Sequence, residues 1–194
     1  MATARGRYVT VFPAPGATPG RRLANPTPTG APLTLMVLQV RGGWLRVQLP
    51  QRPNGSTGWV PAREVALSTT SYALVVDRRS HRLQVWRAGA LTATHPVGVG
   101  RSATPTPAGT YFITELLQQP SPRGSYGPFA FGLSAYSDTL TSYAGGPGQI
   151  GLHGTDAPSL VGTDVSHGCL RVTNDVITAL ARQLPLGTPV RITG

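Results

Sequence analysis

Short runs of alternating apolar and polar residues, broken every few positions by glycine or proline, fill most of this chain. Tyr8-Val9-Thr10-Val11-Phe12 alternates with period two, which predicts a strand. Residues 13–29 are Pro/Gly-rich and read as a loop. Residues 33–40 form a second apolar run, and Gly42-Gly43 supplies a hairpin turn. Residues 44–49 alternate again, Pro53-Asn54-Gly55 is a turn, and Gly58-Trp59-Val60-Pro61 closes the unit. Four or five short strands between Tyr8 and Leu67 predict a small β-barrel.

Ser68-Thr69-Thr70-Ser71 reads as a polar linker. Strands are then expected at 72–76, 83–86, 93–99 and 110–117, with Asp77-Arg78-Arg79-Ser80 as a turn. Residues 118–127 form a polar Pro/Gly loop long enough to act as a lid or rim. Only residues 174–184 carry helical periodicity. There Val176, Ile177, Leu180 and Leu184 share a face, Asn174 is the expected N-cap, and Pro185 stops the helix. Residues 189–192 make a terminal strand. The fold class expected is mainly β, in two units spanning 8–67 and 72–193.

Composition supports a folded chain. Gly 24 and Pro 19 lie between strand-like runs, as turns do. No run of 18 apolar residues exists, so no membrane-spanning helix is expected. The first seven residues lack the apolar stretch of an export signal. The expectation is an exported, periplasmic or wall-associated protein of which this sequence is a trimmed form. The net charge is +10, and every basic side chain of the Lys/Arg class is arginine. That fits a solvated basic surface or an anionic polymer as partner. The arginines are scattered and no aromatic-basic module appears, so nucleic acid is not the expected partner.

The chemistry concentrates in Ile150-Gly151-Leu152-His153-Gly154 and Ser166-His167-Gly168-Cys169-Leu170-Arg171. Cys169 is the single cysteine, so it forms neither an internal disulfide nor a multi-thiolate metal site. A lone cysteine is usually a small buried hydrophobe. Two histidines and adjacent glycines argue otherwise. An imidazole within reach can take a thiol proton, and glycine beside a nucleophile lets backbone amides turn toward an oxyanion. His153, His167 and Cys169 with Asp156 or Asp164 could ligate zinc, but their spacing is unlike known zinc motifs; no metal is expected.

These residues resemble the YkuD-type L,D-transpeptidase catalytic domain, whose signature is a His-Gly element followed by Ser/Thr-His-Gly-Cys. The likeness covers about residues 72–193 and includes Thr104-Pro105-Thr106-Pro107-Ala108-Gly109-Thr110-Tyr111. Separately, the stretch 42–61, GGWLRVQLPQRPNGSTGWVP, resembles a bacterial SH3-type domain. The two resemblances imply a small SH3-like β-barrel followed by a β-sandwich catalytic domain.

The first also implies a reaction. Cys169 would be acylated by a peptidoglycan stem tetrapeptide with loss of D-Ala, and the amine of an acceptor stem would resolve the thioester into a 3→3 cross-link. His153 would be the base, oriented by the Gly154 carbonyl, and the amides of His167, Gly168 and Cys169 would form the oxyanion hole. No cofactor is implied.

Other roles stay open on the sequence. His167 is a second base or, preferably, a buried residue pinning the loop. Ser166 is expected to hydrogen-bond the motif loop. Arg171 pairs either with a substrate carboxylate or with Asp164 or Asp175. Tyr126 and Tyr143 are candidates to line the peptide groove. Trp44 and Trp59 fill the small barrel or form a platform for a wall polymer. His81 is expected in solvent.

Overall fold

The computed structural model describes every residue except Pro19, within the predicted loop, and Ala144. The first unit contains β1 (Ala2–Ala4), β2 (Tyr8–Val11), β3 (Arg21–Ala24), β4 (Thr34–Arg41), β5 (Trp44–Gln48), β6 (Thr57–Pro61) and β7 (Val65–Leu67). Five of these form one antiparallel sheet, ordered β6-β5-β4-β1-β7, and β2 pairs with β3 as a hairpin. The Phe12–Trp59 bridge joins that hairpin to β6. Alternation puts Val9, Val11, Leu35, Leu45, Val47 and Val60 inward, where they are buried together.

Two of these strands depart from the expectation. β3 sits inside the predicted loop; its sequence, Arg21-Arg22-Leu23-Ala24, has almost no apolar pattern and is held by pairing with β2. β1 precedes the expected start at Tyr8 yet lies between β4 and β7.

The second unit holds β8 (Tyr72–Asp77), β9 (Arg82–Arg87), β10 (Ala90–Pro96), β11 (Val99–Gly100), β12 (Gly109–Gln118), β13 (Phe129–Tyr136), β14 (Gln149–His153), β15 (Asp164–Ser166), β16 (Leu170–Arg171), α1 (Asn174–Gln183) and β17 (Pro189–Thr193). Eight strands form one sheet in the order β10-β9-β8-β17-β12-β13-β14-β16. Register shifts within β12–β13 and β13–β14 mark bulges, which bend strands and increase twist. The sheet curls into a sandwich around Leu74, Val76, Phe131, Leu133, Leu152 and Ile192. α1 packs on β13 and β14, with Ile177 and Leu180 buried as its periodicity predicts.

The helix begins differently from the expectation. Thr173 is the N-cap residue, and Asn174 is the first helical position. Its side-chain oxygen accepts from the Thr155 amide at 2.8 Å instead of capping its own helix. No helix among the described residues is long and apolar enough to cross a membrane.

The two units share side chains. Phe112, on β12, is fully buried in the core of the first unit. Gln48 Nε2 donates to the Thr110 carbonyl at 2.7 Å beside it. Phe112→Ala removes a whole buried ring, so it should lower stability by about 3–5 kcal/mol, read from the urea midpoint. A loss below about 1 kcal/mol would show that the shared core contributes little.

Candidate active site

Register sets the site. β14 and β16 run parallel with Leu152 opposite Leu170 and His153 opposite Arg171. Side chains alternate along each strand. Ile150, Leu152, Leu170 and Val172 therefore go to the core, where each is at most 2% exposed. Gly151, His153, Cys169 and Arg171 are left on the opposite face. A Cβ at Gly151 would lie 3.7 Å from His153 Cδ2 and 3.8 Å from Cys169 Sγ. The missing side chain there leaves room between imidazole and thiol.

Two recesses meet at this pair. One, about 90 Å³, is lined by Ser166, His167, Arg171, Leu140 and Tyr143 along with Cys169 and His153. The other, about 290 Å³, adds Glu115, Ala130, Phe131 and Gly151. Tyr126 and Tyr143 border both. The Tyr126 ring centroid lies 4.6 Å from that of His153, at the end of the predicted 118–127 loop.

The imidazole is buried, and its Nδ1 donates to the Gly154 carbonyl at 2.6 Å. A carbonyl can only accept, so the neutral ring carries its proton on Nδ1 and its lone pair on Nε2. Burial drives the His153 pKa down to about 4; Gly154 opposes this, and Arg171 adds to it. Cys169 Sγ accepts from the Gly151 amide at 3.3 Å. Burial nevertheless pushes its pKa above the ordinary thiol value, against the Gly151 amide and Arg171. At neutral pH the pair rests as a thiol and a neutral imidazole. No hydrogen bond joins them among the described residues.

Comparison with known proteins now fits this geometry. Residues 71–192 match the model of the YkuD L,D-transpeptidase catalytic domain. The chain belongs to the L,D-transpeptidase family. It is similar to the YkuD protein of Bacillus licheniformis, 34% identical over 64% of this chain and 67% of that one. It is also similar to the ErfK/SrfK protein of Salmonella typhimurium, 31% identical over 75% of this chain but only 51% of that one. In fold it resembles L,D-transpeptidase 3 of Mycobacterium tuberculosis, solved with a faropenem-derived adduct. The TM-score is 0.52 at 16% identity, over 74% of this chain and 76% of that chain.

As a member of this enzyme family, the chain departs from the sequence expectation at several motif residues. His167 is exposed rather than buried; its ring stacks on Tyr143 with centroids 5.0 Å apart, and its Nδ1 is 3.3 Å from the Tyr143 hydroxyl. The loop is pinned instead by Ser166, whose Oγ donates to the Cys169 carbonyl at 2.6 Å. Gly168 donates its amide to the Ser166 Oγ at 3.0 Å, which takes that amide out of the expected oxyanion hole. The Gly168 φ of 122° and the nearness of Ile150 explain why a glycine stands there.

Arg171 pairs with neither Asp164 nor Asp175 among the described residues, and its buried Nε has no partner. Asp164 instead meets His81 at 2.9 Å, so His81 is not simply solvated. Sequence reasoning missed the Gly151 amide, Glu115 and Leu140. Strand pairing brings Gly151 and Glu115 to these recesses and the loop between β13 and β14 brings Leu140, and none of them carries a local signal.

The buried histidine predicts a pH response. His153 takes its proton at about 4 when folded and near 6.5 when unfolded. Between these values the unfolded chain binds more protons. Stability contributed by the neutral ring is therefore full above about pH 6.5 and is lost as the pH falls toward 4, in all about 3 kcal/mol. His153→Gln should flatten stability across that window, measured as urea midpoints at several pH values. An unaltered slope would assign the acid sensitivity to other groups.

Proposed function

We propose that this chain is a peptidoglycan L,D-transpeptidase acting outside the cytoplasmic membrane, with Cys169 as nucleophile and His153 as general base. The observation that carries the reading is the Nδ1–H···O=C bond to Gly154, beside a thiol that opens on two recesses. With Nδ1 occupied, Nε2 is the ring's base. It takes the Cys169 proton as sulfur attacks the carbonyl after the third residue of a donor stem tetrapeptide.

The amides of His167 and Cys169 are the remaining candidates to hold the oxyanion. D-Ala leaves as an amine, receiving the proton from the imidazolium, and a thioester remains. The side-chain amine of an acceptor stem attacks that thioester, loses a proton to His153, and yields a 3→3 cross-link. No cofactor enters these steps. Arg171, with its unpartnered Nε, is suited to a substrate carboxylate, and Tyr126 and Tyr143 to flanking the bound peptide.

Residues 8–67 read as an SH3-like module and 72–193 as the catalytic domain. A wall polymer is the ligand suggested for the module. Its Trp44 and Phe12 rings meet edge-on at 5.2 Å, and both are partly exposed. The excess of arginine suits an anionic wall.

Two experiments test the catalytic reading. Incubation with faropenem or a carbapenem should add one β-lactam mass to the intact protein and none to Cys169→Ala. A wild-type protein that stays unmodified would overturn the nucleophile assignment. His153→Gln should slow that acylation by about 100- to 10,000-fold, the usual worth of general-base help. Unchanged kinetics would move the base elsewhere. With stem tetrapeptides, 3→3 dimers support transpeptidation, whereas tripeptides alone would mean hydrolysis.

A further inference from the structure

The wall shared by both recesses is a weakly patterned loop between β13 and β14. It contributes Leu140, Tyr143 and Gly148 to the smaller recess, and Tyr143, Pro147 and Gly148 to the larger. Its sequence, with Gly145, Gly146, Pro147 and Gly148 in its second half, has little intrinsic order. Among its described residues its own bonds are Ser137 N to Gly148 O at 2.8 Å, Leu140 N and Thr139 N to Ser137 Oγ at 3.0 and 3.3 Å, Ser137 Oγ to Thr139 Oγ1 at 3.3 Å, and a reciprocal pair between Tyr143 and Gly146. Most of its described residues are exposed, a mark of a segment that opens easily.

An anchor arrives from the other unit. The turn between β5 and β6 is closed by Leu49 N to Ser56 O at 2.8 Å and by Ser56 Oγ to Pro53 O at 2.6 Å. From this turn Arg52 reaches the loop about ninety residues away. Its Nη2 donates to the Ser137 carbonyl at 2.9 Å and to the Leu140 carbonyl at 2.7 Å; its Nη1 donates to the Pro147 carbonyl at 2.6 Å. Ser137 and Leu140 lie on the loop's ascending arm and Pro147 on its descending arm. One planar guanidinium therefore ties the two arms together, which suits its fixed fork of donors.

Asn54 adds a two-way bond to Tyr136, donating from Nδ2 to its carbonyl at 2.7 Å and accepting from its amide at 2.8 Å. The Tyr136 hydroxyl donates back to Pro50 O at 3.0 Å, and the Arg52 guanidinium lies 5.0 Å from the Tyr136 ring centroid. At Gly148 a side chain would run into the Leu140 carbonyl and approach Arg52 Nη2 at 3.1 Å, so the arms are closed tightly around the clamp.

We propose that Arg52 is a positioning residue: from the N-terminal unit it holds the 137–148 loop in the shape that forms the walls of both recesses, and thereby sets how well substrate is bound beside Cys169. The effect on binding rests on the function proposed above; the hold on the loop does not. A mere tether between units would be spread over Gln48, Phe112 and Asn54, whereas this role is specific to the loop.

The test uses the full chain carrying Arg52→Ala or Asn54→Ala, with Arg41→Ala, an exposed arginine elsewhere in the same unit, as control. Amide exchange should rise about ten-fold or more in the 137–148 segment with Arg52→Ala, less with Asn54→Ala, and not with Arg41→Ala, while β12 and β14 keep their protection. Saturation kinetics of acylation by faropenem should show the half-saturating concentration raised about five-fold or more by Arg52→Ala, with the limiting rate changed less than about two-fold. Alkylation by iodoacetamide, which needs no groove, should be unchanged. Unaltered exchange in that segment would overturn the clamp. Faster exchange with an unchanged half-saturating concentration would overturn its role in binding. Wild-type protein that faropenem never acylates would overturn the proposed function instead, and the exchange result alone would then decide the clamp.

Discussion

Leu152 faces Leu170 across the parallel ladder between β14 and β16, and the chemistry of the chain depends on that register. With both leucines locked into the core, their neighbours Gly151, His153, Cys169 and Arg171 turn to the open face. A slip of one residue would reverse every side chain, burying the charge of Arg171 and exposing leucine. The hydrophobic core thus enforces the geometry of the face beside it. Ser166 secures the next link by bonding both the Gly168 amide and the Cys169 carbonyl, which fixes the backbone on either side of the thiol.

Burial makes the site quiescent at rest. It penalises both thiolate and imidazolium, raising the one pKa and lowering the other. Such a pair stays neutral at rest. The Gly154 carbonyl fixes the tautomer without adding a full negative charge, so the ring is oriented but not made strongly basic. Asn174 secures that carbonyl's segment: its side chain bonds the Thr155 amide, and any side chain at Gly154 would collide with it. The helix start is used for positioning rather than for capping itself.

The two units are more than neighbours on a string. Phe112 fills the core of the first unit from a strand of the second, and the β5–β6 turn contacts the loop beside the thiol. The backbone carbonyls of Thr110, Ser137, Leu140 and Pro147 find donors across the boundary. This coupling accounts for side chains such as Arg52 and Asn54, which have no evident task within their own unit.

Much was legible in the chain itself. Period-two runs gave most strands, the 3.6-residue period gave α1, and the paired His-Gly and Ser-His-Gly-Cys elements gave the family and the candidate pair. These signals are local, carried by side chains within a few positions of each other. β3 was lost because Arg21 and Arg22 have no apolar pattern, and its pairing with β2 supplies what propensity does not. β17, which read as a terminal strand, is placed by tertiary structure in the middle of the eight-stranded sheet, parallel to β8 and antiparallel to β12. Exposure of His167, capture of the Gly168 amide and the reach of Arg52 likewise depend on groups that are distant in sequence or on the path of the backbone. The sequence by itself determined which atoms could react, because that is a matter of residue type and local pattern. Tertiary structure decided which of them meet, since strand register and long-range hydrogen bonds leave no mark on neighbouring residues.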